Sequence, residues 1–263
     1  MKDNYKTILI TRDNQQLSIW LNRPEVHNAM NDVMIAELTS VFYSVSKLED
    51  IRVIILRGKG KSFCAGADLN YMKGIAEFGF EENVNDGKKL FNLFNSIYNC
   101  PLPTIAMVHG SAFGGANGLM AACDIVIAEE NTTFAFSEVK LGISPVTISP
   151  FVINRIGEFG AKELMMTGKR FNALEAEKWH LVNHSIAKED FEDTFDFIVK
   201  QLLTSAPEAV KQTKTLIGEV LEKEIDDLND YTANKIAVLR ASEEGQEGMA
   251  SFLEKRKANW IKD

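Results

Sequence analysis

Hydrophobic positions along this chain switch between alternating and helical spacing, and most switches fall at glycine-rich or polar turns. Residues 5–11 (YKTILIT) and 16–21 (QLSIWL) are β-rich runs separated by Asp13-Asn14, so they predict a hairpin. Apolar Ile35, Leu38, Phe42 and Val45 recur at helical spacing behind Asn31 or Asp32, either of which can cap the helix. Residues 52–56 (RVIIL) and 104–108 (TIAMV) read as buried strands, each running directly into a glycine-rich loop at 58–68 and 110–118. A helix is predicted over 82–98, stopped by Cys100-Pro101, and a short one follows the second loop through 119–122. Residues 124–128 and 133–136 complete the strand series. Strand, loop and helix thus alternate over the first 150 residues, which predicts an α/β fold of stacked ββα units around a mostly buried sheet.

Beyond Pro145 the pattern becomes helical. Short helices are predicted over 150–155, 161–167 and 172–180, the last capped by Asn172 with Glu175 three residues on. Longer ones are predicted over 190–204, 207–221 and 224–257, with Pro207 suited to a first turn. The expected organisation is a core over residues 1–200 and a helical region over 201–263 that packs on the core or on a neighbouring subunit.

Composition narrows the function classes. The 263 residues are 45% apolar, enough for a large core, and carry a formal net charge of -8. That balance argues against nucleic acid and anionic membranes as partners, because phosphate surfaces select basic faces. Cys64, Cys100 and Cys123 are widely spaced and form no CxxC pair, which points to a reducing compartment and gives no metal or disulfide framework. No signal peptide and no apolar run of membrane-spanning length is evident, so a cytoplasmic protein is expected. His27, His109, His180 and His184 lack metal-ligand spacing, and no metal site is expected.

Three stretches carry candidate chemistry: residues 62–68 (SFCAGAD), 113–124 (FGGANGLMAACD) and 134–145 (FAFSEVKLGISP). In the first, Ala65, Gly66 and Ala67 let the main chain approach a ligand, and a plain tight turn is the alternative. In the second, Gly115 would open a helix, where free N–H groups favour negative charge. A dinucleotide turn competes there, but the spacing is G-G-x-x-G, not G-x-G-x-x-G. Ser111 lacks the G-x-S-x-G elbow of a hydrolase nucleophile. In the third, Glu138 follows an apolar strand, where partial burial would raise its pKa and suit it to proton transfer at carbon. Two amides facing one carbonyl oxygen beside a carboxylate make a site for stabilising an enolate.

These stretches, with 21–30 (LNRPEVHNAM) and 243–257 (EEGQEGMASFLEKRK), resemble the crotonase, or enoyl-CoA hydratase/isomerase, family over nearly the whole chain. The resemblance implies crotonase-like stacked ββα units with a helical C-terminal trimerisation region. It also implies a homotrimer or a dimer of trimers, and an acyl-CoA thioester substrate whose CoA is part of the substrate, with no separate cofactor. Ala67 and Gly115 match the oxyanion positions, and Glu138 the proton-delivering acid. His27, Ala29, Ala65, Asp68 and Leu69 match CoA contacts, while Phe252 and Lys255, with Arg256 beside them, match the tail's contribution to the CoA end. Two departures stand out. Gly118 replaces the second glutamate of the hydratases, and SPVTISP at 144–150 replaces a run of glycines. Both are similar to members that hydrate branched glutaconyl-CoA thioesters in leucine or isoprenoid breakdown. The expected reaction is hydration of a 3-methylglutaconyl-CoA-like enoyl thioester. A Δ3,Δ2-enoyl-CoA isomerase with Glu138 as sole base, a branched acyl-CoA decarboxylase, and a non-catalytic acyl-CoA or RNA-binding protein are the alternatives.

Overall fold

A computed structural model of the chain describes residues 4–45, 47, 48 and 50–262. Its centre is a six-stranded sheet. Strands β1 (Ile8–Asp13) and β2 (Gln16–Leu21) form the predicted hairpin. The turn itself falls on Asn14 and Gln15, because Asp13 pairs with Gln16 and Asn14 takes a positive φ of 50°. Parallel strands β3 (Val53–Gly58) and β4 (Thr104–Val108) follow. Helix α1 (Asp32–Val45) lies between the hairpin and β3 in sequence.

The continuous apolar runs of β3 and β4 are explained by burial on both faces. Ile54, Leu56, Ala106 and Val108 enter the main core with α1. Val53, Ile55, Ile105 and Met107 face the other way, onto Phe191, Phe195 and Val199 of helix α7 (Phe191–Thr204). The helical region therefore begins as a layer of the core.

Between β3 and β4 lie two helices, α2 (Leu69–Ala76) and α3 (Phe80–Tyr98). The sequence pattern had predicted only the second. Helix α2 buries none of its residues; its start is set by Asp68, which accepts from the Asn70 and Tyr71 amides. After β4 the predicted loop contains a short strand, β5 (Ser111–Phe113), and the first turns of α4 (Gly115–Ala121). Strands β6 (Ile125–Glu129) and β7 (Thr133–Ala135) follow, and β5 and β7 pair in a second small sheet.

Helix α5 (Ser149–Thr167) breaks at Gly157, whose φ of 69° is non-helical, which accounts for the two short helices predicted there. Strand β8 (Arg170–Asn172) joins the small sheet. Helix α6 (Ala173–Lys178) is capped by Asn172 accepting from the Glu175 amide at 2.9 Å. A three-residue strand, β9 (His184–Ile186), extends the main sheet beside β6. Helices α8 (Pro207–Leu221), α9 (Leu228–Ala241) and α10 (Glu243–Leu253) end the chain. The single helix predicted over 224–257 is divided at Ser242, which turns extended and caps α10 through the Gly245 amide. Among the described residues no helix is long and apolar enough to cross a membrane.

Candidate active site

The loop after β3 is sewn to two neighbours. Met30 pairs with Ala67 in a parallel bridge: the Met30 amide donates to Gly66 O at 2.7 Å and the Asp68 amide to Met30 O at 2.8 Å. This pattern uses the peptide groups that flank Ala67 and leaves its own N–H on the opposite side. Cys64 pairs likewise with Ala112 of β5, its amide donating to Ser111 O at 3.1 Å and its carbonyl accepting from Phe113 N–H at 3.2 Å. Gly66 sits so close to the second loop that a Cβ would lie 2.9 Å from Phe113 O. Its φ of 95° favours glycine in any case.

The second loop turns at Gly114, with φ 53° and ψ -124°, and Gly115 opens α4. The Gly114 amide donates to Ala135 O at 3.0 Å. Among the described residues, neither the Ala67 nor the Gly115 amide donates to another protein group. Both residues reach the surface between buried neighbours. The two free donors are therefore on adjoining loops that backbone pairing holds together, one of them at a helix start. A Cβ at 115 would fall 2.6 Å from Met30 Cε, so any side chain there requires the methionine to move.

Glu138 lies in a single 3-10 turn, Ser137–Leu141, that follows β7. A Cβ at Gly114 would stand 3.4 Å from Glu138 Oε1, so the carboxylate reaches the turn that carries Gly115. Its Oε2 is buried with no hydrogen-bond partner among the described residues. Burial pushes the Glu138 carboxyl above its ordinary value, opposed only by a bond from its own amide. A desolvated acid beside unpaired amides is arranged to exchange a proton near a polarised carbonyl. Cys64, also in the first loop, is no nucleophile: it is fully buried and its thiol is pushed up to about 12 by desolvation.

The space at Gly118, where the resemblance leads one to expect a second carboxylate, is filled by neighbouring side chains. A Cβ on Gly118 would meet Ile148 Cγ2 at 2.4 Å and Phe94 Cζ at 2.8 Å. The Phe94 ring packs edge-on against Phe151, 5.9 Å between centroids.

The expected CoA contacts divide. His27, in a left-handed conformation, places Nδ1 3.0 Å from the Ser62 hydroxyl, and its carbonyl accepts from the Ala65 amide at 2.9 Å. Ala29 is buried, and its carbonyl accepts from Arg23 Nη1 at 2.6 Å. Asp68 caps α2 with one oxygen and pairs with Arg23 Nη2 through the other at 2.8 Å. Burial alone would raise its carboxyl, but the Arg23 bond and the Tyr71 and Asn70 amides outweigh it and hold the group below its ordinary value. Both oxygens are engaged within the protein, so the side chain braces the loop. Leu69 stands exposed beside it. Phe252, 82% exposed, and Lys255 lie at and just beyond the end of α10, and no hydrogen bond or ion pair among the described residues ties them to these loops. Sequence reasoning missed Arg23 and Asn28, which hold the His27 turn in place. Asn28 accepts from the Arg23 amide at 2.9 Å and donates to Lys59 O and Ser62 O, each at 2.8 Å. Both stood in the quoted LNRPEVHNAM stretch, and a polar pair beside a left-handed turn was the available signal.

The model of the enoyl-CoA hydratase/isomerase family matches residues 12–263. The chain belongs to that family. It is 32% identical over 259 residues to the crotonyl-CoA hydratase of Syntrophomonas wolfei, covering 98% of each chain. It is 30% identical over 262 residues to the short-chain-enoyl-CoA hydratase of Clostridium acetobutylicum, covering 97% of this chain and 98% of that one. Among solved structures, Pseudomonas aeruginosa AtuE superimposes with a TM-score of 0.94 at 34% identity, covering 98% of this chain and all of that one (100%). A Legionella pneumophila structure described as an enoyl-CoA hydratase/isomerase (crotonase) gives 0.93 at 42% identity, with 97% and 99% covered. Membership of the family and its fold thus agree with the loops and strands described above.

Proposed function

We propose that this family member is an acyl-CoA hydro-lyase that adds water across the 2,3 double bond of an enoyl-CoA thioester. The observation that carries this reading is the pair of unpartnered amides at Ala67 and Gly115, on loops fastened to each other, with the Glu138 carboxylate against Gly114. The thioester oxygen accepts from both amides. As the oxygen of water bonds to C3, the C2=C3 π electrons shift onto the C1–C2 bond and the carbonyl pair onto the thioester oxygen, and the enolate is stabilised where it forms. Glu138 then delivers a proton to C2 and recovers one from the proton that water has released. One such donor is worth about 2.7–4 kcal/mol of transition-state stabilisation. Exposed Leu69, Leu141, Ile143 and Val146, close in sequence to the donors and the acid, offer apolar surface to the acyl and pantetheine chains.

The substrate class is a branched dicarboxylic thioester resembling 3-methylglutaconyl-CoA. With Phe94 and Ile148 around Gly118, no second protein carboxylate can orient the water there. The distal carboxylate of such a substrate supplies the missing base. The same packing favours a second reading, a Δ3,Δ2-enoyl-CoA isomerase, since moving one proton between two carbons needs one acid-base group.

Incubation with 3-methylglutaconyl-CoA, crotonyl-CoA and a 3-enoyl-CoA in heavy-oxygen water separates them. Heavy oxygen in the product of the branched diacid, with crotonyl-CoA much slower, is expected. A double-bond shift without oxygen uptake establishes the isomerase, and loss of carbon dioxide a decarboxylase. Binding of all three esters with no turnover overturns the enzymatic reading.

A further inference from the structure

Asn117 is wholly buried in the first turn of α4. Its Nδ2 donates to Gly114 O at 3.2 Å and to Ala135 O at 2.9 Å. The Ala135 carbonyl also accepts from the Gly114 amide, and the Gly114 carbonyl also accepts from the Asn117 amide at 2.9 Å. One carboxamide thus joins the end of β7, which leads into Glu138, to the turn that presents Gly115. The other half of the carboxamide gains nothing: Oδ1 is buried without a partner among the described residues. Leaving a buried polar atom unpaired is costly, a cost a purely space-filling residue would avoid.

We propose that Asn117 is a positioning residue that fixes the spacing between the Gly115 N–H and the Glu138 carboxylate. This rests on the assignment of those two groups as oxyanion donor and acid. The Ala135 carbonyl is the shared anchor. It holds the loop that carries the donor and stands three residues before the acid, so movement at either end changes the distance that matters to the reaction. A displacement of about 1 Å in such a constellation can cost 10²-fold in rate.

Three variants test it. Asn117→Leu keeps most of the volume and removes both donors, Asn117→Ala removes volume as well, and Asn117→Ser restores one donor. The readouts are kcat, KM, thermal midpoint, and the absorption of a cinnamoyl-CoA thioester, which shifts to the red when its carbonyl is polarised. For Asn117→Leu, kcat is expected to fall by about 10²-fold with KM nearly unchanged and the red shift diminished. Asn117→Ser should recover part of both. If Asn117→Leu and Asn117→Ala lower only the thermal midpoint, while kcat and the red shift match the wild type, the residue is structural and the proposal is overturned. Should Asn117→Leu not fold, Asn117→Ser decides alone, with an intermediate red shift expected and an unaltered one overturning the proposal. Absence of a red shift with the wild-type protein refutes the oxyanion assignment and the positioning role that depends on it.

Discussion

Glu138 sits where the charged form of its carboxyl is disfavoured. Its carboxyl is raised by burial, so the folded protein takes up its proton at a higher pH than the unfolded chain does. As pH rises through that interval, ionisation costs the fold stability, and above it the loss is constant. Glu138→Gln removes the cost. The variant should therefore melt above the wild type near neutral pH and coincide with it well below the ordinary carboxylate range; a pH-independent difference would contradict the burial argument. The same substitution should lower kcat by about 10²–10⁴-fold while acyl-CoA affinity is retained, as measured by calorimetric titration. Stability and activity pull in opposite directions at this one side chain.

At the scale of elements, the loop that offers Ala67 is held less by its own sequence than by α2 and the turn at residues 23–30. Asp68 serves both, as cap and as partner of Arg23. Asp68→Ala should cost about 0.5–2 kcal/mol from the lost cap in urea unfolding. It should also speed amide exchange across α2 more than across α3; equal protection in the two helices would count against this account. Much of this was legible beforehand. The runs RVIIL and TIAMV announced strands buried on both sides, and the Asn172 cap and the break between the two halves of α5 were visible in residue types. Helix α2 was not, because eight residues interrupted by Gly74 give barely two turns of periodicity to read. Strands β5 and β9 are three residues each, too short for alternation to register. The filling of the space at Gly118 was invisible for another reason: Phe94 and Ile148 come from distant parts of the chain, and only tertiary packing brings them there.

At the scale of the molecule, the last three helices look outward. Helices α8 and α9 bury no residue, and Ile217, Leu221, Ile236, Val238, Met249 and Leu253 are exposed. A cavity of about 1100 Å³ opens among α8, α9 and α10, lined by Gln212, Ile236, Leu239 and Met249. Lys214 of α8, paired with Asp124 at 2.7 Å and donating to the Leu102 carbonyl at 3.1 Å, ties α8 to the core, while Arg52 donates to the Leu203 and Leu202 carbonyls of α7 at 2.8 and 3.1 Å. So much exposed apolar surface fits a face covered by further copies of the chain, for which the family resemblance makes a homotrimer or a dimer of trimers the proposed assembly. Light scattering after size exclusion should give a mass that is a multiple of three chains, and Val238→Glu should reduce it; a monomer at micromolar concentration would rule the assembly out.

The crowding around Gly118 also limits which substitutions the site accepts. A glutamate gained there by a single mutation would strike Phe94 and Ile148 before it could reach any water. An acid fits at this position only once those two residues have shrunk, and shrinking them first leaves a void with no immediate benefit. Gly118, Phe94 and Ile148 are therefore coupled positions. In a selected library varied at 94, 118 and 148 together, Gly118→Glu should survive only in company with smaller residues at the other two positions.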